Sequence, residues 1–201
     1  LIANSGTLTL NSGVTMSVTN ASGFDIEVQS SGIFTLNTGS TLSANSMRIA
    51  GGSVDDYINL SYPVASDLEL SSGGVLSVLG SALFSIGAFD TSNIKSGTFY
   101  LRPGTRLDIA TNRIIIGSGV NLFKDGSFGA ADNIATVRVL TGGGLLHSGY
   151  PTNSGTGLQL TVTDSLVVDG SIYLTGYGLR GANGAGSGYG ARGEAYDATG
   201  T

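Results

Sequence analysis

Gly6-Thr-Leu8-Thr-Leu10-Asn-Ser-Gly13-Val-Thr-Met16-Ser-Val18 is the stretch that decides how this chain folds. Apolar and polar side chains alternate on both sides of an Asn-Ser-Gly turn. Alternation at period two puts successive residues on opposite faces of an extended strand. The stretch therefore predicts two short strands joined at a corner. The same frame returns as Gly32, Phe34, Leu36, Gly39, Leu42 and Ala44, and again as Gly97, Phe99, Leu101, Gly104, Leu107 and Ile109. So small a unit cannot bury its apolar face alone and must stack on copies of itself.

Gly32 follows Gly6 by 26 residues, and Gly97 follows Gly32 by 65. A degenerate copy with Gly74, Leu76, Val78, Gly80 and Leu83 lies between, 42 residues after Gly32 and 23 before Gly97. Rungs of roughly 21–26 residues with loop insertions predict an all-β chain, a single-stranded parallel β-helix or β-solenoid. Stacked at roughly 4.8 Å, seven to nine rungs would make a rod roughly 35–45 Å long. Three interior columns are expected: Leu8, Phe34 and Phe99; Leu10, Leu36 and Leu101; and Met16, Leu42 and Leu107. Gly6, Gly13, Gly32, Gly39, Gly97 and Gly104 mark the rung corners. The alternative is an antiparallel β-sandwich, because Asn-Ser-Gly and Asn-Thr-Gly also make hairpin turns. Rung-like spacing of one repeated unit favours the solenoid.

Period-two runs predict strands at 7–10, 15–18, 25–29, 33–36, 41–44, 46–49, 57–60, 67–70, 75–78 and 83–86. Later ones fall at 97–101, 106–109, 113–116, 120–123, 135–140, 157–162, 165–168 and 171–174. No window sustains a helical period. The rungs occupy residues 1–174. Residues 175–201 read as a Gly-rich arm or linker with too few apolar side chains for a core. Tyr177, Tyr189 and Tyr196 are spaced along it and are expected to contact a partner or the rod.

The composition fits this architecture. Glycine at 33 residues and proline at only 3 suit many tight turns between strands. Charged residues are 11%, below the usual quarter or so, and Ser, Thr and Asn take their place. The 9 basic residues are scattered and the net charge is −5, so nucleic acid is not an expected partner. The absence of Cys excludes disulfides and thiolate metal sites, and is compatible with secretion. No apolar run is long enough for a transmembrane helix. The chain starts at Leu1 without Met or a signal sequence and reads as a mature or internal segment.

Chemistry is sparse. His147 stands alone among histidines and reads as a loop residue. The adjacent pair Asp55-Asp56 follows Gly-Gly-Ser and reads as solvated loop charge. Lys124-Asp125-Gly126 and Val168-Asp169-Gly170 read as turns. Arg102, Arg106, Asp108 and Arg113 are the only clustered charges, with Arg106 and Asp108 sharing an outward strand face. No catalytic, metal or cofactor residue is assigned.

Ser5-Gly-Thr-Leu-Thr-Leu-Asn-Ser-Gly13 and Ser31-Gly-Ile-Phe-Thr-Leu-Asn-Thr-Gly39 resemble repeats of bacterial autotransporter passengers and filamentous-haemagglutinin-like exoproteins. The Gly-rich stretch after Ile172-Tyr-Leu-Thr looks like insertions in large β-helical surface proteins. The resemblance implies a parallel β-helix outside the cell, acting in adhesion or in building a surface layer. It transfers no functional residue, because such families share a scaffold rather than a site. The leading expectation is an extracellular structural or adhesive solenoid, either a self-associating subunit of a surface fibre or layer or a fragment of a larger surface protein. Its expected partners are copies of itself, the parent chain, glycans or a host surface. The rival is a carbohydrate-active β-helix enzyme or a glycan-binding module.

Overall fold

The computed structural model describes residues 2–129, 131–147, 158 and 160–173. The chain coils through eight successive passes. The first holds β1 (Ile2–Asn4), β2 (Thr7–Leu10) and β3 (Thr15–Ser17). The second holds β4 (Ile26–Gln29), β5 (Ile33–Leu36) and β6 (Thr41–Ser43), and the third β7 (Met47–Ala50), β8 (Ser53–Asp56) and β9 (Leu60–Tyr62). A 3-10 turn at Ala65–Asp67 leads into β10 (Leu68–Ser71), β11 (Gly74–Val78) and β12 (Leu83–Ile86). The fifth pass holds β13 (Gly97–Leu101) and β14 (Arg106–Ile109), and the sixth β15 (Arg113–Ile116), β16 (Val120–Lys124) and β17 (Ser127–Phe128). The last two hold β18 (Asn133–Val139) with β19 (Gly144–Leu146), then β20 (Thr161–Val168) with β21 (Ser171–Tyr173).

Every ladder between these strands is parallel. That excludes the sandwich and gives a β-solenoid of about 7 turns. Its spine is an eight-stranded sheet in the order β2-β5-β8-β11-β13-β16-β19-β21. A second wall runs β1-β4-β7-β10 and resumes as β15-β18-β20. The bridges Leu70–Ile94 and Phe89–Ile114 carry it across the gap. A third wall is formed by β3-β6 and, separately, by β9-β12-β14-β17. From first to last strand the spine spans roughly 34 Å, seven steps of about 4.8 Å.

Register fixes the interior. Leu8, Phe34, Val54, Leu76, Phe99, Leu122, Leu145 and Ile172 follow one another up the spine. Their intervals are 26, 20, 22, 23, 23, 23 and 27 residues. A second column runs Leu10, Leu36, Asp56, Val78, Leu101 and Lys124. The third expected column is not continuous: Met16 pairs with Leu42, whereas Leu107 pairs with Phe84 and Phe128 in a different sheet. At mid-rod the core is aromatic. Phe99 meets Phe84 at 5.9 Å and Phe89 at 5.4 Å between ring centroids, both edge to face, and Phe84 meets Tyr62 at 5.9 Å.

Two corner types explain the glycines. At the first corner of six of the eight passes the chain enters the left-handed region, at Ser5, Ser30, Gly51, Ser72, Gly119 and Gly142. The second corner uses Gly13, Gly39 and Gly104, at φ of 80, 83 and 85°. The strand predicted at 57–60 does not form. The alternation Val54, Asp56, Ile58, Leu60, Tyr62 runs unbroken through a corner at residues 57–59, which separates β8 from β9. The strands predicted at 157–162 and 165–168 merge, where described, into the single strand β20, which bulges at Thr163 and Asp164 opposite Ala135 of β18. The predicted arm, with Tyr177, Tyr189 and Tyr196, lies outside the described residues.

Across the second wall, stacked charges alternate in sign. Arg48 stands 3.7 Å from Glu27 and 3.2 Å from Glu69, and Lys95 lies 2.6 Å from Glu69. Partial burial pushes the Glu69 carboxyl up, but hydrogen bonds from Lys95 and Ser71 and the charges of Lys95 and Arg48 outweigh it. Its pKa ends below the ordinary value. The cations are well exposed although the glutamates are partly buried, so each pair contributes at most about 1 kcal/mol. Their main effect is on register, since a slipped wall would separate Arg48 from both glutamates.

Candidate functional site

A half-open cleft of about 550 Å³ lies on the flank of the rod, where the corners between spine and third wall stack. Asn59 forms one end, and its side chain accepts a hydrogen bond from the Leu83 amide at 2.8 Å. The middle is the Gly104–Thr105–Arg106 corner. There the Thr105 hydroxyl donates to the Arg102 carbonyl at 2.6 Å, closing the turn. The far end is built by Lys124, Asp125, Ser127 and Asp132.

Lys124 is set by alternation. In Val-Asn-Leu-Phe-Lys the residues Val120, Leu122 and Lys124 point inward, so the lysine stem lies in the second interior column at 2% exposure. Its ammonium pairs with Asp132 at 2.8 Å, donates to the Gly126 carbonyl at 2.9 Å and lies 4.9 Å from the centre of the Phe128 ring. Asp132 also accepts the Phe128 amide at 2.7 Å. Asp125, its side chain buried too, lies 4.0 Å from Arg102 and 3.6 Å from His147. His147 follows β19 outside any strand, the loop position expected, and is buried beside that carboxylate.

The charge cluster read from sequence is dispersed. Arg106 pairs with Asp108 at 2.9 Å on the outward face, Arg113 with Asp90 at 3.8 Å, and Arg102 lies 4.1 Å above the Tyr100 ring. Asp55 and Asp56 are not loop charge. They end strand β8, with Asp55 outward and Asp56 fully buried. The spine's outer face carries a ladder of Tyr100, Phe123, Leu146 and Tyr173. Tyr100 and Phe123 stack at 4.6 Å, so one face of each ring is covered by the other.

Comparison with protein-family models, with curated proteins and with solved structures finds no match. The chemistry must therefore be read from the residues alone. In the cleft the two cations are paired with carboxylates, and the rest of the lining is mostly amide, hydroxyl and backbone, with Asp125 and the apolar Ala82 and Leu83. Among the described residues no three or more His, Cys, Asp or Glu side chains group to hold a metal ion. Among those residues no helix is long and apolar enough to cross a membrane. The site that sequence reasoning missed is the Lys124–Asp132 corner. Its one legible signal was a lysine falling on the inward phase of an apolar strand.

Proposed function

We propose that this chain is an extracellular structural or adhesive β-solenoid, a self-associating subunit of a surface fibre or layer or a segment of a larger surface protein. One observation carries the reading. Leu166 and Val168 continue the interior columns of Val137 and Val139, yet they are 50% and 43% exposed. Side chains with inward phase and open apolar surface suit another rung, whether from a second copy or from the same parent chain. The sparse charge, the lack of Cys and the resemblance of the repeats to exoprotein passengers support a place outside the cell.

A second reading rests on the cleft, whose charges are balanced and whose lining is rich in hydrogen-bonding groups. A neutral, hydroxyl-rich glycan segment fits that chemistry, and the adhesive role would then lie at Asn59 and Arg106. Electron microscopy of the purified protein across a concentration series tests the first reading. End-to-end rods or fibres are the expected result, and single rods at every concentration would remove self-association. Titration with soluble oligosaccharides tests the second, with binding expected in the wild type and lost in Arg106→Ala. Polysaccharide turnover abolished by Asp108→Ala would overturn both readings in favour of an enzyme.

A further inference from the structure

Asp56 stands in the second interior column between Leu36 of β5 and Val78 of β11, at 0% exposure. Its Oδ1 accepts the Ile58 amide at 3.0 Å, and its Oδ2 has no partner. The Tyr62 hydroxyl, on the next strand and 1% exposed, has none either. A buried polar atom without a partner is costly, and a buried unpaired charge far more so. Among the described residues no Lys, Arg or His pairs with Asp56. The spine neighbours face it with Leu36 and Val78. The titratable group facing it across the corner is Tyr62, whose hydroxyl is pushed up by burial and then by the negative charges of Asp56, Asp25 and Asp67. All of these surroundings favour the neutral acid.

We propose that the third pass of the solenoid is a proton-dependent joint. The corner between β8 and β9 is closed while Asp56 is a neutral carboxylic acid, and it loosens when that proton passes to water. The position of Asp56 makes this local. It is the last residue of β8, and the corner that follows carries Tyr57 at 37% exposure. The carboxylate can reach solvent by movement of that corner alone.

Burial raises the Asp56 carboxyl to about 7, against the Ile58 hydrogen bond, which lowers it. In the unfolded chain an aspartate titrates near about 3.9. Below that value both states hold the proton and the group's stabilising contribution is complete. As pH rises, the unfolded chain releases its proton while the folded pass retains it. The folded-to-unfolded ratio then falls by about tenfold per pH unit until pH reaches about 7, where the loss levels off.

Denaturant unfolding of the full chain between about pH 4.5 and 8, for wild type and Asp56→Asn, tests this. The wild type should lose about tenfold more of its folded-to-unfolded ratio per pH unit than the variant between about pH 5 and 6.5. Hydrogen exchange should place the high-pH loosening at the amides of Tyr57 and Leu79, which bond across this corner to Leu36 and Asp56. Parallel stability curves for the two proteins would overturn the proposal. Should Asp56→Asn not fold, NMR titration of the wild-type Asp56 carboxyl carbon decides the matter. A midpoint near about 7 supports the joint, and one near about 4 overturns it.

Discussion

Phe99→Ala is expected to cost the fold about 3–5 kcal/mol, read as a fall in the denaturation midpoint. Phe99 has 0% exposure and is held between Leu76 and Leu122 in the spine column. Its ring is the meeting point of Phe84 and Phe89. The cavity left by alanine cannot collapse easily, because the backbones above and below are fixed by parallel ladders. The same truncation at Phe123, its outward neighbour across the pleat on the next strand, removes a half-buried ring that can be replaced by water. A loss at Phe99 no larger than that at Phe123 would show that the interior is not packed as a column.

Gly97→Ala is the second large effect, at about 2–5 kcal/mol, from backbone strain and overpacking together. Gly97 has φ of 127°, and a Cβ there would lie 2.2 Å from the Gly74 carbonyl oxygen of the pass below. The obstacle is main chain, so no side chain can turn aside to make room. Gly6 opens the first copy of the same motif, yet a Cβ there meets nothing within 4 Å and its φ is ordinary. Gly6→Ala should therefore leave the denaturation midpoint nearly unchanged. Equal losses at the two positions would mean that the motif glycine serves the local turn and not the close approach of stacked passes.

That pair shows what the sequence could and could not disclose. The period-two runs and the corner glycines made the parallel coil legible, because each pass repeats one inward phase. Leu8, Phe34 and Phe99 share a column for that reason. Gly6 and Gly97 looked alike, since a sequence does not show which pass has another beneath it. Asp56 was misplaced because two adjacent aspartates after Gly-Gly-Ser read as a loop, although the alternation from Val54 to Tyr62 never breaks. Lys124 was missed for the same reason: its charge suggested solvent, while its phase pointed inward. Met16 and Leu42 were separated from Leu107 because no ladder joins β6 to β9, and hydropathy carries no sign of that gap.

The unequal lengths of the passes, 20 to 27 residues along the spine column, have a mechanical consequence. Hydrogen bonds between passes run along the rod, so tension on its two ends loads those seams in series. Such a rod yields by peeling, and each event frees one coil, roughly 70–90 Å of extended chain. On the proposed surface role, a stalk built this way would lengthen in steps under drag and absorb work.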